Sequence, residues 1–229
     1  MPPPPFRIAV LASGRGSNLQ ALIDAQRQGA LPIELVLVAS DKVDAHALRR
    51  AEAAGIPTLA LAPGSAPSRA AYDAELFGRV AAYAPDLIVL AGFMRIIDPA
   101  ALAPWAGRIV NIHPSLLPKY PGLHTHRRAI EAGDALHGAT VHYVTAELDG
   151  GPPIACAEIP VHVGDTPERL AERLLAEEHR LLVACIALIA AGRIALDGTR
   201  VRLDGAALAS PLCLGADLNL FARTQERKD

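Results

Sequence analysis

Apolar runs alternate with segments of helical spacing along the first ninety residues, and this alternation constrains the fold more than any other feature. Phe6–Ala12, Ile33–Ala39 and Asp86–Ala91 read as buried strands, with Thr58–Leu61 a shorter candidate. Between them, Ser17–Gln28, Ala45–Ala54 and Arg69–Tyr83 place apolar residues three and four apart, the spacing of one helix face. Gly55 closes the second of these helices. Strands that are apolar on both faces must be covered on both faces, and crossover helices on a parallel sheet do this. The expected fold is α/β, a mostly parallel, Rossmann-like open sheet with helices on both faces.

After Gly92 the pattern changes. Pro99–Trp105 is a short helix at most, Arg108–His113 a strand and Leu123–Ala132 a helix. Ala139–Thr145 and Ile154–Val161 alternate in polarity around the turn Leu148-Asp149-Gly150-Gly151-Pro152, which predicts a late antiparallel strand pair. Asp165-Thr166-Pro167-Glu168 starts a helix with a capping residue, a first-turn proline and an acid. That helix runs to Ala191 and stops at Gly192. Ile194–Leu203 suggests a terminal hairpin, and the tail from Ala206 is weakly patterned.

Lys and Arg total 22 against 24 Asp and Glu, a balance that argues against a general nucleic-acid or acidic-membrane binder. It leaves room for a small anion held at a local site. Three cysteines (Cys156, Cys185, Cys213) without paired spacing argue against a disulfide framework and for a reducing compartment. No signal peptide is read at the start, and the apolar run Leu181–Ala191 is too short to span a bilayer. The expectation is a cytoplasmic protein.

Three segments carry chemistry. Gly14-Arg15-Gly16-Ser17-Asn18 joins the first strand to the first helix, where free N–H groups and the helix dipole favour a phosphate. The plainer reading is a tight turn capped by Ser17. Leu19 stands at the third glycine position of a dinucleotide fingerprint, and no Gly-Lys-Ser/Thr P-loop is present. Asp41 suits either a ribose-binding acid or an ordinary loop. Asn111 and His113 share one face of a strand that ends in a proline-punctuated loop, an amide beside an imidazole. Asp149 is a turn former that would hold His113 if the two met. Gly92–Ile97 follows a strand end, where ligands gather in open α/β sheets. Arg69 and Glu178 read as surface charges on helices. His124, His126, His137 and His142 have no recognised metal-ligand spacing, so no metal is expected.

Together, Ser-Gly-Arg-Gly-Ser-Asn-Leu-Gln (13–20), Ala-Gly-Phe-Met-Arg-Ile (91–96), Asn-Ile-His-Pro-Ser-Leu-Leu-Pro-Lys-Tyr-Pro-Gly (111–122) and Glu-Leu-Asp-Gly-Gly-Pro (147–152) resemble the phosphoribosylglycinamide formyltransferases, folate-dependent enzymes of purine synthesis. The likeness runs from Arg7 to Ala191. It implies a formyltransferase domain over 6–192; apart from the resemblance, the prolines at 2–5 read as a disordered extension at 1–5, and residues 193–229 as a hairpin and tail packed on or trailing that domain. The resemblance also implies 10-formyltetrahydrofolate as co-substrate, 5-phosphoribosylglycinamide as acceptor, no metal, and a monomer or homodimer without nucleic-acid or membrane partners. The catalytic trio falls on Asn111, His113 and Asp149. The ribonucleotide site falls on Gly16, Ser17, Asn18, Leu19 and Glu178. The folate side falls on Arg69, Leu90, Met94, Arg95, Ile96, Ile97, Asn111, Val144 and Thr145. Cys156 stands where members of the family often have glutamine.

Two other readings compete. A formyltransferase acting on methionyl-tRNA shares the Asn-x-His and Ser-Leu-Leu-Pro pattern, but this chain lacks a long basic C-terminal segment for tRNA. A nucleotide-binding regulatory module would use the first βαβ unit and leave Asn111, His113 and Asp149 unexplained.

Overall fold

The computed structural model describes residues 4–217 and 219–222. Among these, nine strands form one mixed sheet. β1 (Phe6–Leu11), β2 (Ile33–Ser40), β3 (Thr58–Ala60), β4 (Leu87–Leu90) and β5 (Ile109–His113) run parallel. β6 (Leu136–Tyr143) is antiparallel to β5, and β7 (Pro153–Pro160) is antiparallel to β6. A second, three-stranded antiparallel sheet holds β8 (Ile194–Asp197), β9 (Arg200–Leu203) and β10 (Ala206–Ala207). β11 (Leu212–Leu214) then joins the main sheet beside β7, with β12 (Leu220–Ala222) outside it. The order across the main sheet is β12-β11-β7-β6-β5-β4-β1-β2-β3.

Helices cover both faces. α1 (Ser17–Arg27), α2 (His46–Ala53) and α6 (Pro167–Ala190) bury Leu19, Leu22, Leu48, Leu174 and Leu182 against one side. α3 (Arg69–Ala81) buries Tyr72, Leu76, Phe77 and Val80 against the other, with Leu102 of α4 (Pro99–Leu102) and Trp105. The parallel strands are apolar on both faces for this reason. α6 starts as its sequence requires: the Thr166 side chain accepts from Arg169 N–H at 3.3 Å, with Pro167 in the first turn.

Three features differ from expectation. β6 begins at Leu136 and ends at Tyr143, so it starts ahead of the expected Ala139. Gly138 explains the early start, because a Cβ there would overlap the Ala157 carbonyl of β7. The missing side chain lets the strands pair where hydrophobic alternation is silent. The tail from Ala206, which has little pattern, contributes β10, β11 and β12. Two or three residues are too few to carry a strand period, and pairing with β7 makes β11 a strand. Of the expected extension, residues 1–3 lie outside the described residues, and Pro4 and Pro5 are exposed. Residues 218 and 223–229 of the tail lie outside them as well.

The chain passes from β1 to β2 and β3 on one side, then returns to β4 and β5 on the other. The order therefore reverses between β1 and β4, opening a crevice at their carboxyl ends.

Candidate active site

The glycine-rich loop enters this crevice from β1. Gly16 is the residue before α1, with φ of 70°, and a Cβ there would lie 2.8 Å from the Cα of Ala47. Both backbone and space therefore demand glycine. Gly16 holds the capping position that the sequence suggested for Ser17, and no side chain caps the helix. The first-turn N–H groups of α1 have no intrahelical acceptor and stay free for an anion. Leu19 is fully buried, so it offers a ligand only its backbone. Asn18 Nδ2 donates to Glu178 Oε2 at 3.0 Å, while Asn18 Oδ1 is buried without a partner. Glu178 is thus no surface charge. It is half-buried in α6 facing the loop, and burial pushes its carboxyl above the usual range against the opposing effect of the Asn18 bond.

At the end of β5, alternation sends Asn111 and His113 to the same face, and the Asp149 turn closes over them. His113 Nδ1 lies 3.4 Å from Asp149 Oδ2, and both side chains are nearly buried. His113 Nε2 lies 2.9 Å from the Tyr120 carbonyl. Asp149 sits at φ 50°, and its Oδ2 also accepts from Gly122 N–H at 2.8 Å. Asn111 Nδ2 donates to Asp149 Oδ1 at 3.4 Å and lies 3.1 Å from His142 Nε2. His142 Nδ1 lies 2.9 Å from the Tyr143 carbonyl and so carries the ring proton. Burial holds His142 below the usual imidazole range, its nearby carbonyl and Asp149 opposing. A neutral His142 leaves Nε2 bare as the acceptor of the Asn111 amide. Its 3.7 Å approach to Asp149 Oδ1 is therefore no ion pair.

The loop after β5 folds over this cluster. Thr140 Oγ1 donates to Ser115 O at 2.7 Å and accepts from Leu117 N–H at 3.1 Å. Asp134 accepts from Lys119 Nζ at 2.9 Å and from the Tyr120 hydroxyl at 2.7 Å. α5 (Thr125–Glu131) follows, and His126 Nδ1 meets His137 Nε2 at 3.0 Å. A cleft of about 600 Å³ brings Asn18, Glu178, Met94 and Ile96 into one lining with Asn111, His113 and Asp149. Beside it a pocket of about 90 Å³ is lined by Leu90, Arg95, Ile97, Val144 and Thr145. A separate apolar hollow of about 710 Å³ lies against Phe77, Trp105 and Arg108 and contains none of these polar groups.

Residues 6–186 match the formyl transferase family. The chain belongs to that family. It is 50% identical over 200 residues to phosphoribosylglycinamide formyltransferase of Escherichia coli K12, covering 87% of this chain and 94% of the relative. The phosphoribosylglycinamide formyltransferase of Coxiella burnetii, solved in complex with CHES, superposes with a TM-score of 0.86 at 46% identity, covering 90% of this chain and 97% of that one. Glycinamide ribonucleotide transformylase 1 of Symbiobacterium toebii superposes with a TM-score of 0.84 at 49% identity, covering 86% and 93%.

Within this formyl transferase fold, most residues singled out by sequence converge on the cleft or its side pocket. Arg69 stands apart: its side chain is half exposed, 4.0 Å from Asp98, and is not on the cleft wall. Arg95 lines the cleft with its guanidinium 4.5 Å over the Tyr72 ring. His142 is the residue that sequence reasoning missed. Its signal is register: Asn111 and His142 are direct cross-strand partners. Among the described residues, no group of three His, Cys, Asp or Glu is placed to hold a metal ion, and no helix is long and apolar enough to cross a membrane.

Proposed function

We propose that the chain transfers the formyl group of 10-formyltetrahydrofolate to the amine of 5-phosphoribosylglycinamide, giving formylglycinamide ribonucleotide and tetrahydrofolate. The observation that carries this reading is the setting of His113. Asp149 lies against one ring nitrogen and the Tyr120 carbonyl against the other. A ring between two acceptors satisfies both only when both nitrogens carry protons. The neighbouring carboxylate also attracts the positive ring. A buried imidazole set against a carboxylate and beside an amide donor suits a reaction that moves a proton near a developing oxyanion.

In this reading the N–H groups of Ser17, Asn18 and Leu19, opened by Gly16, receive the acceptor's phosphate, and Glu178 receives its ribose. Leu90, Ile97, Val144 and Thr145 take the donor's ring, with Met94, Arg95 and Ile96 as the outer lip and Arg69 on the same side. The amine attacks the formyl carbon, and the carbonyl oxygen becomes an oxyanion. Asn111 Nδ2 donates to that oxygen, giving up its long contact with Asp149. The bond to His142 keeps the amide turned toward the substrate throughout. His113 stabilises the oxyanion and protonates the folate nitrogen as the carbon–nitrogen bond breaks. Asp149 holds His113 and relays the amine's proton through water. The donor carries an already activated formyl group, so the step as written uses no metal.

The test is acceptor choice. The purified chain is given 10-formyltetrahydrofolate with either 5-phosphoribosylglycinamide or methionyl-tRNA. Formylation of the ribonucleotide alone is the expected result, and formylation of the tRNA alone overturns the assignment.

A further inference from the structure

The loop between β1 and α1 is anchored from the side by α2. Ala47 and Arg50 lie three positions apart on that helix and so share a face. Both reach the loop. The Gly14 carbonyl accepts from Ala47 N–H at 3.0 Å, and the Arg15 carbonyl accepts from Arg50 Nε at 2.9 Å. In a trans peptide the carbonyl and the next N–H point opposite ways. Drawing both carbonyls onto α2 therefore turns the N–H groups of Arg15 and Gly16 away from it, next in sequence to the free first-turn N–H groups of α1. Arg50 is half-buried, and its Nη1 donates to Gln20 Oε1 at 2.9 Å. Gln20 Nε2 donates in turn to Asp24 Oδ1 at 2.8 Å, which fixes the amide's orientation. A charged donor is thus committed to two neutral oxygens, one of them a carbonyl of the loop. Just past the loop, Asn18 lines the cleft with its buried Oδ1 unpartnered, so this stretch has capacity left for a ligand.

We propose that Arg50 is a positioning residue for the acceptor's phosphate: it holds the Arg15–Gly16 peptide in the orientation that receives the anion. The inference rests on the formyl-transfer reading. Gly16 does not hold that orientation alone, because glycine adopts left-handed and right-handed backbone angles with similar ease. Contact with Ala47 limits movement toward α2, and the bond to Arg50 limits movement away from it. Without the guanidinium the peptide is free to turn, and its N–H leaves the row that the phosphate meets. The phosphate must then order the loop as it binds, at a cost in affinity. Asn111, His113 and Asp149 are untouched, so the loss falls on acceptor binding and not on the chemical step. Arg49, the residue before, is the control for charge alone. It is exposed and lines the same groove of about 420 Å³ as Arg27, His46 and Arg50. Among the described residues, its side chain makes no hydrogen bond to the loop.

Steady-state kinetics of Arg50→Met, Arg50→Lys and Arg49→Met are compared with the parent on 5-phosphoribosylglycinamide and on ribosylglycinamide, which lacks the phosphate. Arg50→Met is expected to raise the ribonucleotide KM roughly tenfold, with kcat within about twofold of the parent. Its kcat/KM on the dephosphorylated acceptor is expected to equal the parent's, since that acceptor has no phosphate contact to lose. Arg50→Lys, which can still donate to the Arg15 carbonyl, falls between, and it carries the same test should Arg50→Met not fold. Arg49→Met keeps the parent's values on both acceptors. An equal loss on both acceptors, a loss confined to kcat, or the same KM rise in Arg49→Met overturns the proposal. Calorimetry with ribose 5-phosphate repeats the comparison without turnover, on chains whose folding is checked by chemical denaturation. Weaker binding to Arg50→Met than to the parent is expected, and equal binding, or none to the parent, overturns the proposal. If the parent formylates neither acceptor, the formyl-transfer reading fails, and the ribose 5-phosphate titration still decides the role of Arg50.

Discussion

At the scale of single residues, the account rests on how His113, Asn111 and Glu178 are surrounded. His113→Ala removes the proposed acid and is expected to lower kcat on the order of 10²–10⁴-fold while leaving ribonucleotide affinity by calorimetry nearly unchanged. His142→Ala leaves the Asn111 amide without the acceptor now 3.1 Å away, free to turn from the oxyanion. Its kcat is expected to fall roughly tenfold to a hundredfold, read by steady-state kinetics, with the ribonucleotide KM unmoved. Glu178 gives a prediction with a sign. Burial raises its folded-state carboxyl above the ordinary 4.5, so the folded chain holds that proton more tightly than the unfolded chain. The stability this confers is full below pH 4.5 and is lost as pH rises through the raised value. Glu178→Gln should therefore melt above the parent at pH 7, with the gap closing below pH 4.5 in a pH series of thermal scans. Strand alternation made the shared face of Asn111 and His113 legible in the sequence. His142 was not legible, because its partnership with Asn111 depends on the β5–β6 register. The meeting of His113 with Asp149 was also hidden, since a turn at φ 50° brings the carboxylate back across 36 residues.

At the scale of elements, two loops decide whether substrates are held. In the loop before α1, Gly16→Ala forces a Cβ against Ala47 in a left-handed backbone conformation. The expected cost is about 1–2 kcal/mol of stability by chemical denaturation, with a larger rise in ribonucleotide KM than fall in kcat. The loop after β5 is held partly by the contact between His126 and His137. Burial pushes His137 down to about 4 from the ordinary 6.5, and the neighbouring His126 acts the same way. Below pH 6.5 the unfolded chain takes up this proton and the folded chain does not, so this contribution to stability falls from pH 6.5 toward 4. Replacing His137 with asparagine is expected to flatten that slope in melting curves across the same range. The helix starts were readable because capping chemistry is local, as at Thr166 and Pro167. The start of β6 was not, because Gly138 signals a close approach only once its neighbour on β7 is known.

At the scale of the whole molecule, the sheet order places both halves of the site. Alternating apolar runs and helices were sufficient to read the parallel half and the crevice where its order reverses. They could not reveal that β11, from the weakly patterned tail, covers the edge of β7, since strand pairing at long range leaves no periodicity in three residues. Leu212 is fully buried at that junction, so Leu212→Ala is expected to cost on the order of 2–5 kcal/mol in denaturant unfolding. The central claim concerns the whole cleft, which must hold donor and acceptor at once on either side of Asn111, His113 and Asp149. The most direct measurement is a reaction of the purified chain with isotopically labelled 10-formyltetrahydrofolate, with and without 5-phosphoribosylglycinamide. The account predicts that the donor is consumed only when the ribonucleotide is present and that the label is recovered on the glycinamide nitrogen. Equal consumption without the ribonucleotide, with the label released as formate, would contradict it.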